Sequence, residues 1–205
     1  QAHVARADRV TVCNQGTGFE CNGCEPELIC NDIGVDMETC CSNFNQVTEF
    51  SKSLIDELTT IPRAEQSYSI VGFSTEATLA ADMATPAGAV AALNGLVYVG
   101  GRTNHAAAIN TCRSSLPTQS STRKNIMVMI TDGDASEPQG SPQDDAEAAA
   151  ALAKADGIFI IPVMIIPEFT TIIPDPVKYL QKVSSDGTVF DVSDFESFTV
   201  IQDSL

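Results

Sequence analysis

The 205-residue chain predicts an α/β fold built on a doubly wound, mostly parallel sheet, and three observations carry that expectation. Strand-like and helix-like segments alternate along most of the chain, the pattern of strands joined by crossover helices. Ile126 to Ile130 is a run of five apolar residues, which reads as a strand buried on both faces and so as part of a parallel sheet covered by helices. Phe44, Val47, Phe50, Leu54, Ile55 and Leu58 recur at three- and four-residue steps, which puts them on one face of a helix.

Taken in order, residues 1–26 contain Gly16, Gly18, Gly23 and Pro26 with little apolar periodicity, apart from Val10 to Val12, a segment able to add a strand. They are read as a cysteine-rich N-terminal extension ahead of one domain spanning 27–205. ELICNDIG at 27–34 is a short apolar run ending in Asp32 and reads as a strand, followed by an acidic, cysteine-bearing loop, VDMETCCSN. The helix then begins near Asn43, with Ser42 or Asn43 available as its cap, and Pro62 closes it. Tyr68 to Phe73 and Thr78 to Met83 read as an antiparallel hairpin with the polar tip STEA.

An Ala-rich helix at 86–94 comes next, and then VGGRTNHAAAINTC, where two glycines lead into a helix running through Leu116 with Thr103 at its N-cap. After the Ile126–Ile130 strand, Asp144 to Ala155 is a helix with acidic residues in its first turn, as the helix dipole favours, ended by Gly157. Ile158 to Ile166 is a second buried strand, in which Pro162 predicts a bulge or an early end to pairing. A helix at 174–183, a strand at 188–192 and a closing helix at 195–205 complete the alternation.

The 27 acidic and 11 basic side chains give a formal charge of −16. Such a surface repels nucleic acid and anionic lipid and attracts cations. No apolar run approaches the ~20 residues of a membrane helix; IFIIPVMII at 158–166 is short and carries Pro162, so direct membrane insertion is not expected. Of seven cysteines, Cys13, Cys21, Cys24, Cys30, Cys40 and Cys41 crowd into the first 41 residues and Cys112 stands apart. That crowding beside a normal core points to disulfides in an oxidising, extracellular compartment. The odd count leaves a free thiol or a bridge to another chain. The chain begins at Gln1 rather than Met, which fits removal of a signal peptide and fits trimming equally.

Catalytic signatures are sparse. His3 and His105 are the two histidines, and there is no GxSxG elbow, P-loop or dinucleotide-binding glycine fingerprint. Cys21 and Cys24 have CxxC spacing, yet no second pair and no nearby histidine complete a zinc site. The chain is expected to be non-enzymatic. A metal-dependent hydrolase or a thiol oxidoreductase using Cys21 and Cys24 stands as the less favoured alternative.

In open sheets of this kind ligands bind beyond the carboxyl ends of the strands, which is where Thr131, Asp132, Gly133 and Asp134 follow the apolar run. Four stretches then carry a resemblance: SNFNQVTEFSKSLIDEL (42–58), YSIVGFSTEA (68–77), GGRTNHAAAI with IMVMITDGD (100–109 and 126–134), and VFDVSDFESFTVIQDSL (189–205). In order and spacing the chain resembles the von Willebrand factor type A domain, found also as the inserted domain of integrins. The resemblance implies a Rossmann-like sheet of six strands, mostly parallel with one antiparallel edge strand, and a metal-ion-dependent adhesion site at its carboxyl edge. That site is formed by an Asp-x-Ser-x-Ser loop after the first strand, a Thr before the third long helix and the Asp of a Thr-Asp-Gly loop after the fourth strand. Thr103 and Asp132 match the last two. In the first loop Asp32 leads, but Gly34 and Asp36 stand where the hydroxyl ligands belong; the other register, Asp36, Glu38 and Cys40, restores neither serine.

The metal set implied is therefore Asp32, Asp36, Thr103 and Asp132, with Gly34 and Asp134 as secondary positions. Carboxylates that close repel one another unless a cation or bound protons compensate. An all-oxygen donor set suits Mg²⁺ or Ca²⁺, and a carboxylate in place of a neutral serine makes the site more anionic and more tolerant of Ca²⁺. In family members with an intact site the ion leaves one position open for an acidic side chain of the partner, a position an extra carboxylate would fill. The plainer readings are that Asp132 and Asp134 are turn residues around Gly133, that Thr103 only caps its helix, that His105 is a polar residue of the first helical turn, and that Asp144 and Asp145 are a solvated helix start. The expected function is an extracellular protein-protein binding, adhesion or matrix and filament assembly module, its partners being other proteins or further copies of itself. The alternative is a structural building block with a degenerate, metal-free site.

Overall fold

A computed structural model of the chain describes residues 7–15, 37–60, 66–97, 102–117, 124–131, 135–164 and 176–191. Among the described residues six strands and five helices follow one another as β1 (Ala7–Gln15), α1 (Met37–Thr60), β2 (Ser67–Phe73), β3 (Ala77–Ala84), α2 (Pro86–Asn94), α3 (His105–Ser115), β4 (Lys124–Thr131), α4 (Pro142–Ala155), β5 (Ile158–Met164), α5 (Pro176–Val183) and β6 (Phe190–Asp191). The strands form one sheet in the order β3-β2-β1-β4-β5-β6. Every pairing is parallel except β2 with β3, the hairpin at one edge.

The sheet contains the strand that Val10 to Val12 was read as able to add, and it is longer and more central than that reading implied. Ala7–Gln15, placed by sequence in an extension outside the domain, is the central strand and pairs with β2 on one side and β4 on the other. Val10 and Val12 align with Tyr68 and Ile70 of β2 and with Ile126 and Val128 of β4, four residues that are buried. The expected strand at 27–34 and closing helix at 195–205 lie outside the described residues. Helix α1 also begins earlier than its apolar periodicity suggests. METCCSN, read as loop, is helical, so Ser42 and Asn43 lie within the helix rather than at its cap.

Alternation along the strands divides the core into two layers. On one face Tyr68, Ile70, Ile126, Val128 and Ile130 pack with Phe50, Leu54 and Ile55 of α1 and Leu93 of α2. On the other, Val71, Phe73, Met127, Met129 and Ile160 pack with Ile109 and Cys112 of α3, the alanines of α4, and Tyr179 and Leu180 of α5. Leu54 and Ile55 are buried almost completely, each contributing about 1.5–3 kcal/mol of transfer free energy. Ala146, Ala149, Ala150 and Ala153 are the buried face of α4; their small side chains let α4 lie close to α3 and the sheet.

Pro162 does not interrupt its strand. It pairs in register with Met129, and β5 continues to Met164 without the expected bulge. The Ile160 N–H donates to Ser185 Oγ at 2.8 Å and the Ile160 carbonyl accepts from Ser185 N at 3.1 Å, so residue 160 presents its polar groups to the flank away from β4. Residue 162, two positions on, faces the same way, and β6 pairs with β5 only at Val163 and Met164. The missing donor falls where no ladder bond is required.

Candidate functional site

Three loops meet at the carboxyl edge of the sheet and are laced together by backbone hydrogen bonds. The turn after β2 supplies Ser74 and Thr75, the segment before α3 supplies Arg102, Thr103 and Asn104, and the loop after β4 supplies Ser136 and Glu137. Asn104 N–H donates to the Ser74 carbonyl at 2.8 Å, and Arg102 N–H donates to Thr75 Oγ1 at 3.0 Å. On the other side, Thr103 N–H donates to Ser136 Oγ at 2.9 Å, while the Thr103 carbonyl accepts from Ser136 N at 2.8 Å and Glu137 N at 3.0 Å. The exposed Arg102 guanidinium adds an ion pair to Glu137 at 3.2 Å.

Thr103 is not the helix cap. Asn104 holds that position: its Oδ1 accepts from Ala107 N at 2.9 Å, and its Nδ2 donates to the Thr75 carbonyl at 3.0 Å. The two residues are adjacent and both are good N-caps, but the double clasp on Ser136 and Glu137 fixes the Thr103 backbone one residue upstream of the helix. The plainer reading of Thr103 is thereby revised, whereas His105 is, as read, a polar residue of the first helical turn, and the structure adds that it is buried.

His105 is fully buried. Its Nε2 lies 3.0 Å from Thr131 Oγ1 and its Nδ1 3.0 Å from Tyr179 Oη. The ring stacks on Tyr179 with planes 3° apart and meets Phe73 edge-on. Burial lowers its pKa from 6.5 to about 3, so it is neutral, with one ring nitrogen donating and the other accepting. With both nitrogens engaged below the surface, His105 braces β4, α3 and α5 and is withheld from metal. Thr131, the last residue of β4 and itself buried, immediately precedes Asp132 in the sequence.

Of the predicted metal residues only Thr103 falls among the described residues; Asp32, Gly34, Asp36, Asp132 and Asp134 lie outside them. Among the described residues no three His, Cys, Asp or Glu side chains group closely enough to hold an ion. An oxygen-preferring ion at this edge would draw on Thr103 together with those aspartates. The topology bears on the first loop. The central strand ends in Cys13, Asn14 and Gln15, so Asp32 and Asp36 belong to the connection from β1 to α1 and do not directly follow the first strand.

Asn104 and Ser136 were not singled out from sequence. Asn104 had a legible signal, since asparagine caps as well as threonine; Ser136, in a loop of small polar residues, had none. Cys112, which stood apart in sequence, is buried in the α3 layer and disulfide-bonded. Among the described residues no helix is long and apolar enough to cross a membrane.

Comparison with known proteins adds a family and a fold. The family model for the von Willebrand factor type A domain matches residues 40–204. Proximal thread matrix protein 1 from the mussel byssus superposes with a TM-score of 0.66 at 18% identity, covering 97% of this chain and 46% of that one. The chain therefore spans less than half of the mussel chain's length. A second structure of that protein, described as having a zinc-occupied MIDAS motif, matches with the same TM-score, covering 98% of this chain and 47% of that one. BatB from Bacteroides thetaiotaomicron matches with a TM-score of 0.62 at 16% identity over 96% of this chain and 95% of that one. The pilus adhesin SpaC from Lactobacillus rhamnosus GG gives 0.66 at 12% identity, covering all of this chain and 30% of that one. No curated protein matches the sequence significantly.

Proposed function

Because the chain belongs to the von Willebrand factor type A family, we propose that it is a non-enzymatic protein-protein binding module for extracellular adhesion or for assembly of a matrix or filament, aided by a divalent cation at the carboxyl edge of its sheet. The observation that carries this reading is the lacing of three loops around Thr103, with Asn104 as the helix cap. Such an edge is rigid before any partner arrives, and preorganisation lowers the entropic cost of binding. The mussel thread matrix protein and the pilus adhesin, similar in fold, are both named for matrix or adhesive roles. The charge of −16 favours cation uptake.

Mg²⁺ and Ca²⁺ are the ions the oxygen donors favour, with Zn²⁺ worth including in view of the zinc-occupied mussel structure. Titration calorimetry with each ion on the wild-type chain and on Asp132→Ala tests the reading. Heat with the wild type and none with the variant is the expected result. Sedimentation velocity with and without chelator then asks whether the ion promotes self-association.

A second reading, a structural building block with a metal-free site, is favoured by one specific observation. The central strand ends in the neutral Asn14 and Gln15, so its last residues bring no carboxylate to the edge. Absence of heat with all three ions would select this reading.

A further inference from the structure

We propose that the disulfide partner of Cys112 is Cys13, a staple joining α3 to the central strand beneath the binding edge. Cys112 is disulfide-bonded and fully buried in the layer between the sheet and α3, α4 and α5. Its partner must reach that layer. Cys13 pairs in register with Val71 of β2 and Met129 of β4, and both belong to the same buried layer as Cys112. Residues in register on neighbouring parallel strands share a face, so position 13 is on the α3 side of the sheet. Position 12, aligned with Ile70 and Val128, is on the α1 side.

The depth agrees as well. α3 starts at His105, beside Thr131 and Phe73 at the carboxyl ends of β4 and β2. Seven residues at 1.5 Å each carry the helix back about 10 Å to Cys112. Cys13 lies two residues below Gln15, the register partner of Phe73, which is about 7 Å down the strand. The two positions are thus within about one helical turn of the same level. Cys40 and Cys41 belong to α1, whose packed apolar residues, Val47 to Leu58, are in the opposite layer. Cys21, Cys24 and Cys30 follow β1 in the sequence and lie outside the described residues.

The bond forms by oxidation: two thiols give up two protons and two electrons to a disulfide-donating oxidant, which is reduced to its dithiol. With Cys13 and Cys112 joined, five cysteines remain, at 21, 24, 30, 40 and 41. Five cannot all pair with one another, so the odd thiol belongs to the stretch from 21 to 41, and Cys112 is not the residue available to a second chain.

The test is peptide mapping of the whole chain, secreted under oxidising conditions, alkylated without reduction and digested. Trypsin cleaves after Arg9, Arg102 and Arg113, and a glutamate-specific protease cleaves after Glu20 and separates Cys13 from the other five N-terminal cysteines. The expected product is a linked pair of peptides, 10–20 joined to 103–113, that is lost on reduction. Cys112 linked to a peptide from 21–52, or carrying the alkyl label, would overturn the proposal. In Cys13→Ser, run in parallel, Cys112 should become alkylated in denaturant; a Cys112 still joined to another cysteine, with the wild-type peptide pair absent, counts against it.

Discussion

Replacing His105 by phenylalanine keeps an aromatic ring between Phe73 and Tyr179 but removes both hydrogen-bonding nitrogens. Thr131 Oγ1 and Tyr179 Oη, each 3.0 Å from the imidazole, then each lose that partner at a fully buried ring position. Leaving a buried polar group short of a partner costs about 1–3 kcal/mol. The greater apolarity of phenylalanine offsets part of this, which puts the expected loss at about 2–4 kcal/mol at pH 7. Adding Tyr179→Phe should cost about 1 kcal/mol less in the His105→Phe background than in the wild type, since the two groups share one bond.

The same side chain predicts a pH dependence with a definite sign. Burial lowers the folded pKa to about 3 from 6.5, so below pH 6.5 the unfolded chain binds a proton that the folded chain refuses. The contribution of neutral His105 is complete above 6.5 and falls with pH until about 3. At pH 5 the loss is about 2 kcal/mol relative to pH 7. His3 and the carboxylates are common to both proteins, so the stability gap between wild type and His105→Phe should narrow by that amount. Urea unfolding followed by circular dichroism at pH 7 and pH 5 measures both quantities. A cost below about 0.5 kcal/mol at pH 7, or a gap unchanged with pH, would refute the buried-brace geometry.

Two further substitutions probe the edges of the same framework. Asn104→Ala removes the cap on Ala107 N and the bond to the Thr75 carbonyl and should lower stability by about 1–2 kcal/mol in urea melts; Thr103→Val should cost less if Asn104 alone caps α3. Ser185→Ala strips the Ile160 N–H of its side-chain acceptor on the flank of β5 and should cost about 1 kcal/mol, with hydrogen exchange at Ile160 quickened relative to Val163.

The elements that sequence periodicity located were those whose side chains alone determine burial. Ile126 to Ile130 and the Phe44 to Leu58 stripe are apolar enough to declare a two-sided strand and a one-sided helix, and the hairpin was marked by its polar tip. The central strand was obscured for a physical reason. Flanked on both sides, β1 satisfies its backbone groups through β2 and β4, so it tolerates Thr11, Cys13 and Asn14 among its residues and looks weaker than ELIC at 27–30. Pro162 misled in the opposite direction. Its cost depends on whether the lost donor faces a partner strand, and that is fixed by the short β6 and by Ser185, which stand far from it in the sequence.

At the site, residue type was informative and position was not. Thr103 and Asn104 have equal claims as caps, and the choice between them was made by Ser136 and Glu137, more than thirty residues away, through backbone groups that any residue possesses. His105 was legible as a polar residue of the first helical turn but not as a buried one, because Tyr179, from a helix seventy residues on, supplies its cover. These long-range contacts also constrain the metal question. β4 delivers Asp132 directly after a Thr131 that His105 holds, whereas β1 delivers Asn14 and Gln15 instead of a carboxylate. On the proposed metal-binding reading, Asp32 and Asp36 of the connection between β1 and α1 are the carboxylates that would complete the site. Asp32→Asn and Asp36→Asn should accordingly weaken metal binding as much as Asp132→Asn does, and equal heats in wild type and both variants would mean that the connection contributes nothing to the site.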